Sequence, residues 1–327
     1  MNDENTCQML DLTAACDRLL AADHWLILTH QYPDGDTLGS AFALGRTLRA
    51  LGKKARVVNA DPFPEKFAFM TDGVEWDKFE PVHICAVDVA DPRLFGDALA
   101  DYADRVELCI DHHASNTRYA RYLLLKEYAA TAMLVYEIVR QLGVTPDAAI
   151  AESLYTGIAT DTGCFKYSNT DPLTHRMAAD LMEIDIRAAQ INRAMFDTKS
   201  RSRIELERLA LAGLRFEWNG RCAVMPVTRE MLAKSQAHDN DMDGLASIPR
   251  AIEGVWVGVT LREVDTDRFK ISVRTGRHAN ACDICARLGG GGHPAAAGCT
   301  LSGPLSEVID RLLGAIRAAV PAIETHA

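Results

Sequence analysis

The sequence predicts an α/β protein: a parallel-sheet domain with helices on both faces, joined to a smaller α+β domain with a mixed sheet. Apolar segments at 24–30, 53–60, 83–89 and 105–111 alternate with helical patterns. That order is typical of a parallel sheet, whose strands are buried on both faces. After Gly220, segments 221–228, 255–263 and 268–275 alternate like strands of a second sheet. A chain of 327 residues is also too long for one ordinary core.

These patterns predict three parts of the chain. Residues 1–190 form the first domain, residues 191–215 a connecting helix or linker, and residues 216–327 the second domain. We expect the active site in the cleft between the two domains, because such clefts commonly bind small ligands.

The expected helices follow from apolar spacing and from breaker residues. In the first domain they cover 10–22, 37–51, 98–104, 131–142, 146–160 and 172–184. A long charged segment, 188–214, is expected to be helical and to connect the domains. Helices at 281–288 and 305–320 flank a glycine-rich segment, GGGGHPAAAG (289–298), that is expected to be a loop followed by a strand.

Composition limits the classes of function. The formal net charge is -10, whereas proteins that grip long nucleic acids carry basic surfaces, so a long duplex is not expected as a partner. The nine cysteines form an odd, scattered set that favours reduced thiols. The acidic N-terminus is not that of a secretory signal, and no apolar run is long enough to span a membrane. We therefore expect a cytoplasmic protein without a membrane partner.

Polar residues interrupt the chain directly after four of the predicted segments. Three of these insertions lie at carboxyl ends of predicted parallel strands, the edge where ligands bind in open α/β sheets. The residues are His30, Asp34 and Asp36 in HQYPDGD, Asp88 after HICAV, Asp111, His112 and His113 in IDHHASN, and Asp161 in ATDTG.

Histidine combined with carboxylate suits manganese, iron or magnesium better than metals that prefer thiolates. The set would suffice for two ions that share one bridging carboxylate. Two ions about 3.5–4 Å apart can clamp a phosphoryl oxygen and activate a water. Taken singly, each aspartate could instead be a helix cap or turn residue.

Together, these motifs resemble the DHH phosphoesterase superfamily, in which a DHH domain is followed by a DHH-associated domain. The matching motifs are His30-x-x-Pro33-Asp34-Gly35-Asp36, Asp88, Asp111-His112-His113, Asp161-Thr162-Gly163 and the glycine-rich segment 289–298. The resemblance covers roughly residues 20–318 and implies a metal-dependent hydrolase.

The resemblance also implies a role for each residue. One divalent cation would be held by His30, Asp34 and Asp88, and the other by Asp36, Asp88, His112 and Asp161. Manganese is favoured, with magnesium or another divalent ion left open. His113 would contact the substrate phosphate or its leaving group, and Asp111 would orient a histidine.

Substrate contacts are expected from the second domain. Consecutive glycines let backbone N–H groups approach an anion closely, so Gly290, Gly291 and Gly292 could contact a phosphate beside His293. Arg274 matches the arginine that contacts phosphate in the family. A flexible hairpin loop is the alternative interpretation of the glycine run.

Within the superfamily, the length and domain order resemble the nano-RNase and bisphosphate nucleotidase group. That resemblance implies hydrolysis of short oligoribonucleotides to mononucleotides, removal of the 3'-phosphate of 3'-phosphoadenosine 5'-phosphate (pAp), or both, by a water activated between two metals. The alternatives are a phosphodiesterase for linear or cyclic dinucleotides and a non-catalytic nucleotide-binding module. Substrate length, base preference, direction of attack, native metal and a homodimer are left open.

Overall fold

The computed structural model describes residues 7–71, 73–76, 78–242 and 244–324. The chain divides between Thr198 and Lys199 into two compact units. Each unit contains its own six-stranded sheet and its own hydrophobic core.

The first unit alternates strands with helices. In its described residues the strands are β1 (Gln8–Met9), β2 (Trp25–Leu28), β3 (Ala55–Val58), β4 (His83–Val87), β5 (Leu108–Asp111) and β6 (Tyr122–Leu125). The α-helices are α1 (Leu12–Ala21), α2 (Gly35–Ala50), α3 (Ala68–Thr71), α4 (Thr131–Gln141), α5 (Ala148–Asp161), α6 (Pro172–Met182) and α7 (Ala188–Asn192).

The first sheet has the strand order β1-β6-β5-β4-β2-β3, and every neighbouring pair is parallel. Alternate residues of β2 face opposite sides: Trp25 and Ile27 belong to the core beneath the long α-helices. Leu26 and Leu28 pack on the other side with Phe95 and Leu99. The parallel sheet covered on both faces confirms the predicted fold class.

Local structure differs from the sequence prediction at two places in this unit. The helix expected at 98–104 is a 3₁₀ segment, Asp97–Arg105, and it covers one face of the sheet together with a second 3₁₀ segment, Pro92–Phe95. Strands β1 and β6 were not predicted. Strand β1 has two residues, too few to display a period, and pairing with β6 identifies it. Strand β6 has four residues, as many as β2, β3 and β5, and its apolar run could have been noticed.

The second unit is built on a mixed sheet. Its strands are β7 (Arg215–Glu217), β8 (Cys222–Val227), β9 (Val257–Asp265), β10 (Arg268–Thr275), β11 (Gly291–His293) and β12 (Ala296–Ser302). Its α-helices are α8 (Arg201–Ala212), α9 (Arg229–Ser235), α10 (Ala281–Ala286) and α11 (Leu305–Ala319). The order is β11-β12-β10-β9-β8-β7; β8 and β9 are parallel, and the other pairs are antiparallel.

The glycine-rich segment is a β-hairpin rather than a loop. Strand β11 pairs with β12 through Gly291–Gly298, Gly292–Ala297 and His293–Ala296. The expectation of a loop at the glycine run was therefore wrong. Glycine has a low strand propensity, and the pairing is decided by a partner strand that local propensity does not register.

The segment 188–214 is not one continuous connecting helix. It consists of α7, a five-residue π-helical turn at Arg193–Asp197, an extended break and α8. Leu206 and Ala210 of α8 are buried against Met225 and Val227 of β8. Helix α8 thus contributes to the core of the second unit, because its apolar side finds a sheet face to cover.

Two further properties concern the chain as a whole. All nine cysteines are free thiols, and the pair Cys282 and Cys285 lies on α10. Among the described helices, none combines the length with the apolar character needed to cross a bilayer.

Candidate metal centre

Three neighbouring strands of the first sheet deliver polar residues to one edge. Strands β5, β4 and β2 lie side by side and parallel. His30 follows β2 by two residues, Asp88 comes directly after β4, and Asp111 is the last residue of β5. The N–H of Asp88 donates to the Ile110 carbonyl (2.9 Å), which holds the ends of β4 and β5 together. The carboxyl edge predicted from sequence therefore collects all three.

The start of α2 supplies two more carboxylates. Asp34 is the N-cap of α2, and its Oδ1 accepts from the N–H groups of Asp36 (3.0 Å) and Thr37 (3.1 Å). The Thr37 hydroxyl donates to the Val87 carbonyl (3.1 Å). These bonds fix the first turn of α2 against the end of β4, next to Asp88.

Asp36 is fully buried and caps a different helix from its own. Its Oδ2 accepts from the Thr131 N–H (2.6 Å), and its Oδ1 accepts from the Ala132 N–H (2.9 Å). Ala130, the N-cap residue of α4, has no side chain that could do this. The positive end of the α4 dipole thus stabilises a buried carboxylate at the site.

Asp161 arrives from α5, of which it is the last residue. Helix α5 packs closely on α2 and α4. A Cβ on Gly157 would lie 2.6 Å from the Cβ of Ala132 and 2.8 Å from Oδ1 of Asp36. The glycine therefore permits the close approach that carries Asp161 to the other carboxylates.

The ligand atoms form three overlapping groups, and within each group they lie within 4.8 Å of one another. The groups are His30, Asp34 and Asp88; Asp36, His112 and Asp161; and Asp88, His112 and His113. The first two contain the six residues proposed from sequence as metal ligands. Asp88 is shared by the first and third groups, and the third group shares His112 with the second.

Asp88 has an unusual backbone and a buried side chain. Its φ is +59°, a left-handed conformation that aspartate and asparagine adopt more readily than most other non-glycine residues. Oδ1 accepts from the Thr131 hydroxyl (2.9 Å). Burial, followed by repulsion from Asp36 and Asp34, raises the pKa of Asp88 well above its ordinary value. A cation between these carboxylates would offset both effects.

His112 provides a direct test of whether the residues fit a metal. Its Nδ1–H donates to the Tyr128 carbonyl (2.9 Å), which leaves Nε2 for another partner. Nε2 is buried and has no hydrogen-bond partner in the described part of the chain; it lies 3.3 Å from Asp161 Oδ2 and 3.6 Å from Asp88 Oδ1. An imidazole with one nitrogen held by a backbone carbonyl and the other facing carboxylates has the arrangement of a metal ligand. The residues present therefore fit a divalent cation.

His113 is held differently from His112. Its Nδ1 lies 2.8 Å from Oδ1 of Asp111, and this bond raises the pKa of His113. Asp111 is fully buried and accepts in addition from the amide of Asn116 (2.6 Å). Although His113 lies in one ligand group, its Nδ1 is already bonded to Asp111, which leaves Nε2 for another partner.

The electrostatics of the metal-free site oppose full ionisation. Burial, then repulsion from Asp36 and Asp34, raises the pKa of Asp161 to about 9. Burial also raises the pKa of Asp36, despite the bonds from α4. Several carboxylates converging in a desolvated site strongly favour bound cations or protons.

The substrate residues expected from the second unit lie at one end of its sheet. Arg274 is on β10 and pairs with Ala296, which pairs in turn with His293 on β11. Arg274 has no carboxylate partner among the described residues, and its Nη1 donates to the Val273 carbonyl (3.1 Å). Gly291, Gly292 and His293 are exposed.

The glycine run also has a structural cause that the sequence did not reveal. A Cβ on Gly290 would lie 2.2 Å from the Gly298 carbonyl oxygen, and a Cβ on Gly292 would lie 2.6 Å from Cα of Ala297. Gly292 also has a φ of +145°. No atom of the described residues lies within 4 Å of a Cβ on Gly291. Packing thus requires glycine at positions 290 and 292, whereas position 291 has room for a side chain.

Sequence reasoning missed two side chains that hold the site together. Thr131 supports Asp88 through its hydroxyl and Asp36 through its N–H. Asn116 anchors Asp111. Asn116 stands in the motif IDHHASN and could have been noticed there, whereas nothing local marks Thr131, because its partners lie 43 and 95 residues away.

Family models match both units of the chain. Residues 24–158 match the DHH family N-terminal domain, and residues 219–321 match the DHHA1 domain. The chain is 35% identical over 300 residues to the bifunctional oligoribonuclease and PAP phosphatase NrnA of Thermus thermophilus, covering 89% of this chain and 88% of that protein. The chain belongs to the DHH family.

Other similarities agree with this membership. A crystal structure of an exopolyphosphatase-related protein from Bacteroides fragilis superposes on this DHH protein with a TM-score of 0.84 at 26% identity, covering 96% of this chain and 97% of that one. A probable manganese-dependent inorganic pyrophosphatase of Streptococcus mutans is 26% identical over 211 residues, covering 60% of this chain and 67% of that protein.

Proposed function

We propose that this DHH protein is a metal-dependent phosphoesterase that hydrolyses short oligoribonucleotides, removes the 3'-phosphate of pAp, or does both. The observation that carries the proposal is the buried, unpartnered Nε2 of His112 among the carboxylates of Asp36, Asp88 and Asp161. The name of the Thermus relative, an oligoribonuclease and PAP phosphatase that matches 89% of this chain, supports the choice of substrate.

In this proposal two divalent cations occupy the centre. His30, Asp34 and Asp88 hold one, and Asp36, Asp88, His112 and Asp161 hold the other. When bound, such cations polarise a phosphoryl oxygen and lower the pKa of a bound water. Manganese is the proposed metal, because the ligands are imidazole and carboxylate and the Streptococcus relative is named manganese-dependent.

His113 is the proposed proton donor or hydrogen-bond donor to the phosphate or its leaving group. Asp111 binds Nδ1 and stabilises the protonated ring. Nε2–H would then point away from Asp111 and be available to an oxygen of the substrate. Asp111 acts through the histidine and is a positioning residue.

Arg274, His293 and the glycines at 290–292 are the proposed substrate contacts of the second unit. Arg274 lacks an acidic partner among the described residues, and a guanidinium suits bidentate phosphate contact. The formal net charge of -10 favours short substrates over long strands. We also propose a cytoplasmic location, which the nine free cysteines support.

A panel of substrates tests the proposed function. Purified protein, first stripped with a chelator and then supplied with manganese or magnesium, is offered pAp, RNA of two to five nucleotides, RNA of 24 nucleotides, cyclic dinucleotides and pyrophosphate. We expect manganese-dependent release of mononucleotides from the short RNA, phosphate from pAp, or both, and little activity on the 24-nucleotide strand. Preference for pyrophosphate or cyclic dinucleotides, or full activity without metal, would contradict the proposal.

A further inference from the structure

A second candidate site lies entirely within the second unit, apart from the residues assigned above. It is a cavity of about 530 Å³ beside the start of β9 and the end of β10. Its lining consists of Arg250, Gly254, Val255, Trp256, Gly276, Arg277 and His278. That volume is within the range of pockets that hold small molecules, and the lining includes no carboxylate.

Two arginines line the cavity, and neither forms an ion pair with a carboxylate in the described residues. Arg250 makes no ion pair there, and its Nε is buried without a hydrogen-bond partner. Its guanidinium lies over Gly276, where a Cβ would come within 2.2 Å of Nη2. Arg277 is exposed, and among the described residues it bonds only to its neighbour His278. Two guanidiniums without carboxylate partners favour an anionic group, phosphate above all.

The same cavity contains a stacked aromatic pair. The rings of Trp256 and His278 are 4.5 Å apart with an interplanar angle of 20°, and the guanidinium of Arg221 lies 4.7 Å from the Trp256 ring centroid. Arg277 Nε donates to Nε2 of His278 (3.0 Å). Because His278 is exposed, another planar ring can extend the stack from its outer side.

The loops that carry these side chains are tied to one another by the backbone. The Trp256 N–H donates to the Arg221 carbonyl (2.7 Å), and the Trp256 carbonyl accepts from the Gly276 N–H (3.4 Å). The Ala279 N–H donates to the Gly276 carbonyl (3.3 Å). The loops that carry the aromatic pair and the arginines are thus held together before any ligand binds, which lowers the entropic cost of binding.

We propose that this cavity binds a nucleoside monophosphate unit, with the base extending the His278–Trp256 stack and the phosphate between Arg250 and Arg277. Aromatic stacking combined with arginine is the chemistry by which proteins hold single nucleotides without sequence readout. The cavity's own chemistry favours a ligand with an aromatic ring and an anionic group. The inference rests on the proposed function only where it identifies that ligand as a nucleotide. The unit is either one nucleotide of an oligonucleotide or a free mononucleotide.

Equilibrium binding tests the site without catalysis. Full-length protein in a chelator is titrated with adenosine 5'-monophosphate and followed by tryptophan fluorescence and calorimetry. Arg277→Ala removes an exposed side chain, and we expect it to weaken binding roughly 10-fold to 100-fold, the equivalent of one charge-assisted hydrogen bond. Trp256→Leu should weaken it as well and remove the fluorescence change. Arg268→Ala, at the other end of β10 and also exposed, is the matched control and should bind normally.

Cross-linking locates the nucleotide directly. An 8-azido derivative of adenosine 5'-monophosphate should label a peptide within residues 250–278, and Arg277→Ala should strongly reduce that label. Unchanged affinity in both pocket variants, or labelling confined to other peptides, would overturn the inference. Pocket binding by a protein that hydrolyses no nucleotide would refute the proposed function alone, and intact hydrolysis with no pocket binding would refute the inference alone.

The two sources of the ligand give different kinetics with the manganese-loaded protein. If the pocket holds part of the substrate, Arg277→Ala raises KM for trinucleotides and leaves KM for pAp unchanged. If it holds a free mononucleotide, added adenosine 5'-monophosphate changes the hydrolysis rate of the parent protein. Arg277→Ala then leaves both KM values unchanged and removes that effect. Either result supports the site, and no change in any of these quantities contradicts it.

Discussion

At the scale of single residues, Asp88 combines several roles in the metal centre. It belongs to two of the three ligand groups, its side chain is nearly fully buried, and its hydroxyl partner Thr131 fixes one of its oxygens. Its left-handed backbone, with a φ of +59°, means that alanine would add backbone strain to the loss of the carboxylate. Asparagine retains the shape and tolerates this conformation, so it is the more informative substitution.

We predict that Asp88→Asn lowers phosphoesterase activity by more than about 100-fold, because residues that merely support metal ligands already cost roughly 10-fold to 100-fold. Metal content, measured by atomic spectroscopy, should fall in the same sample. Asp101→Asn changes an exposed aspartate in the same unit and is the control. It should keep both the activity and the metal content of the parent protein. A fully active Asp88→Asn protein would refute the bridging role.

Arg274 tests whether substrate binding can be separated from the metal centre. Its side chain and that of Lys270 project from the same face of β10, four residues apart, opposite the buried Phe269, Ile271 and Val273. Arg274→Ala should raise KM for a dinucleotide about 10-fold to 100-fold, as expected for one or two lost charge-assisted hydrogen bonds. Metal content should not change, because all proposed ligands lie before residue 162.

A small artificial phosphodiester, which offers fewer contacts than a dinucleotide, should suffer less from Arg274→Ala. Lys270→Ala is the matched control for removing a positive charge from β10. Loss of metal in Arg274→Ala, or an equal effect on both substrates, would show that the proposed division of roles is wrong.

At the scale of elements, the hairpin of β11 and β12 separates two uses of glycine. Gly290 is pressed against the Gly298 carbonyl, whereas a Cβ on Gly291 meets nothing within 4 Å. Gly290→Ala should therefore destabilise the second unit by about 1–3 kcal/mol through overpacking. Gly291→Ala should leave stability within about 0.5 kcal/mol of the parent protein.

Unfolding in urea measures this difference in stability between the two variants. Substrate kinetics of Gly291→Ala also test whether residue 291 contacts the substrate. If the exposed backbone at Gly291 approaches a phosphate, the added methyl should raise KM although the protein remains stable. Equal stability of Gly290→Ala and Gly291→Ala would contradict the packing described for the hairpin.

The start of α4 is a second feature at the scale of elements. The helix begins at Thr131 without a capping side chain of its own, and Asp36 from α2 accepts its first N–H groups instead. A ligand carboxylate therefore also serves as a tertiary helix cap. Such sharing couples the architecture of the first unit to the geometry of the site, since neither helix can shift without moving Asp36.

At the scale of the whole molecule, the buried carboxylates link stability to pH. The pKa of Asp161 is raised to about 9, against about 3.9 in an unfolded chain. Between these values the folded state binds more protons than the unfolded state, so the free energy of unfolding falls as pH rises. The raised pKa values of Asp36 and Asp88 act in the same direction.

We therefore predict that chelated protein unfolds at a lower temperature at pH 8.5 than at pH 6, and that bound manganese removes most of this difference. Asp161→Asn should flatten the pH dependence of the chelated protein, because it removes one carboxylate from the cluster. Thermal unfolding monitored by circular dichroism gives the measurement. A chelated protein that becomes more stable as pH rises over this interval would contradict the electrostatics of the site.

The sequence by itself determined the fold class, most helices and the residues that meet at the carboxyl edge of the first sheet. These features depend on local signals: buried apolar runs, helical spacing, and polar residues placed directly after strands. His30, Asp88 and Asp111 could be assigned to one edge because the carboxyl ends of parallel strands lie together. The resemblance of their motifs to one family then specified the chemistry.

Only the tertiary structure decided what depends on partners distant in the chain. Strand β1 has two residues and exists because it pairs with β6, and β11 is a strand because β12 lies beside it. Thr131 supports Asp36 and Asp88 across 95 and 43 residues, and the cavity at Trp256 unites residues 250–256 with residues 276–278. Propensity and spacing describe a residue and its near neighbours, whereas contacts of this kind arise only when the folded chain brings distant segments together.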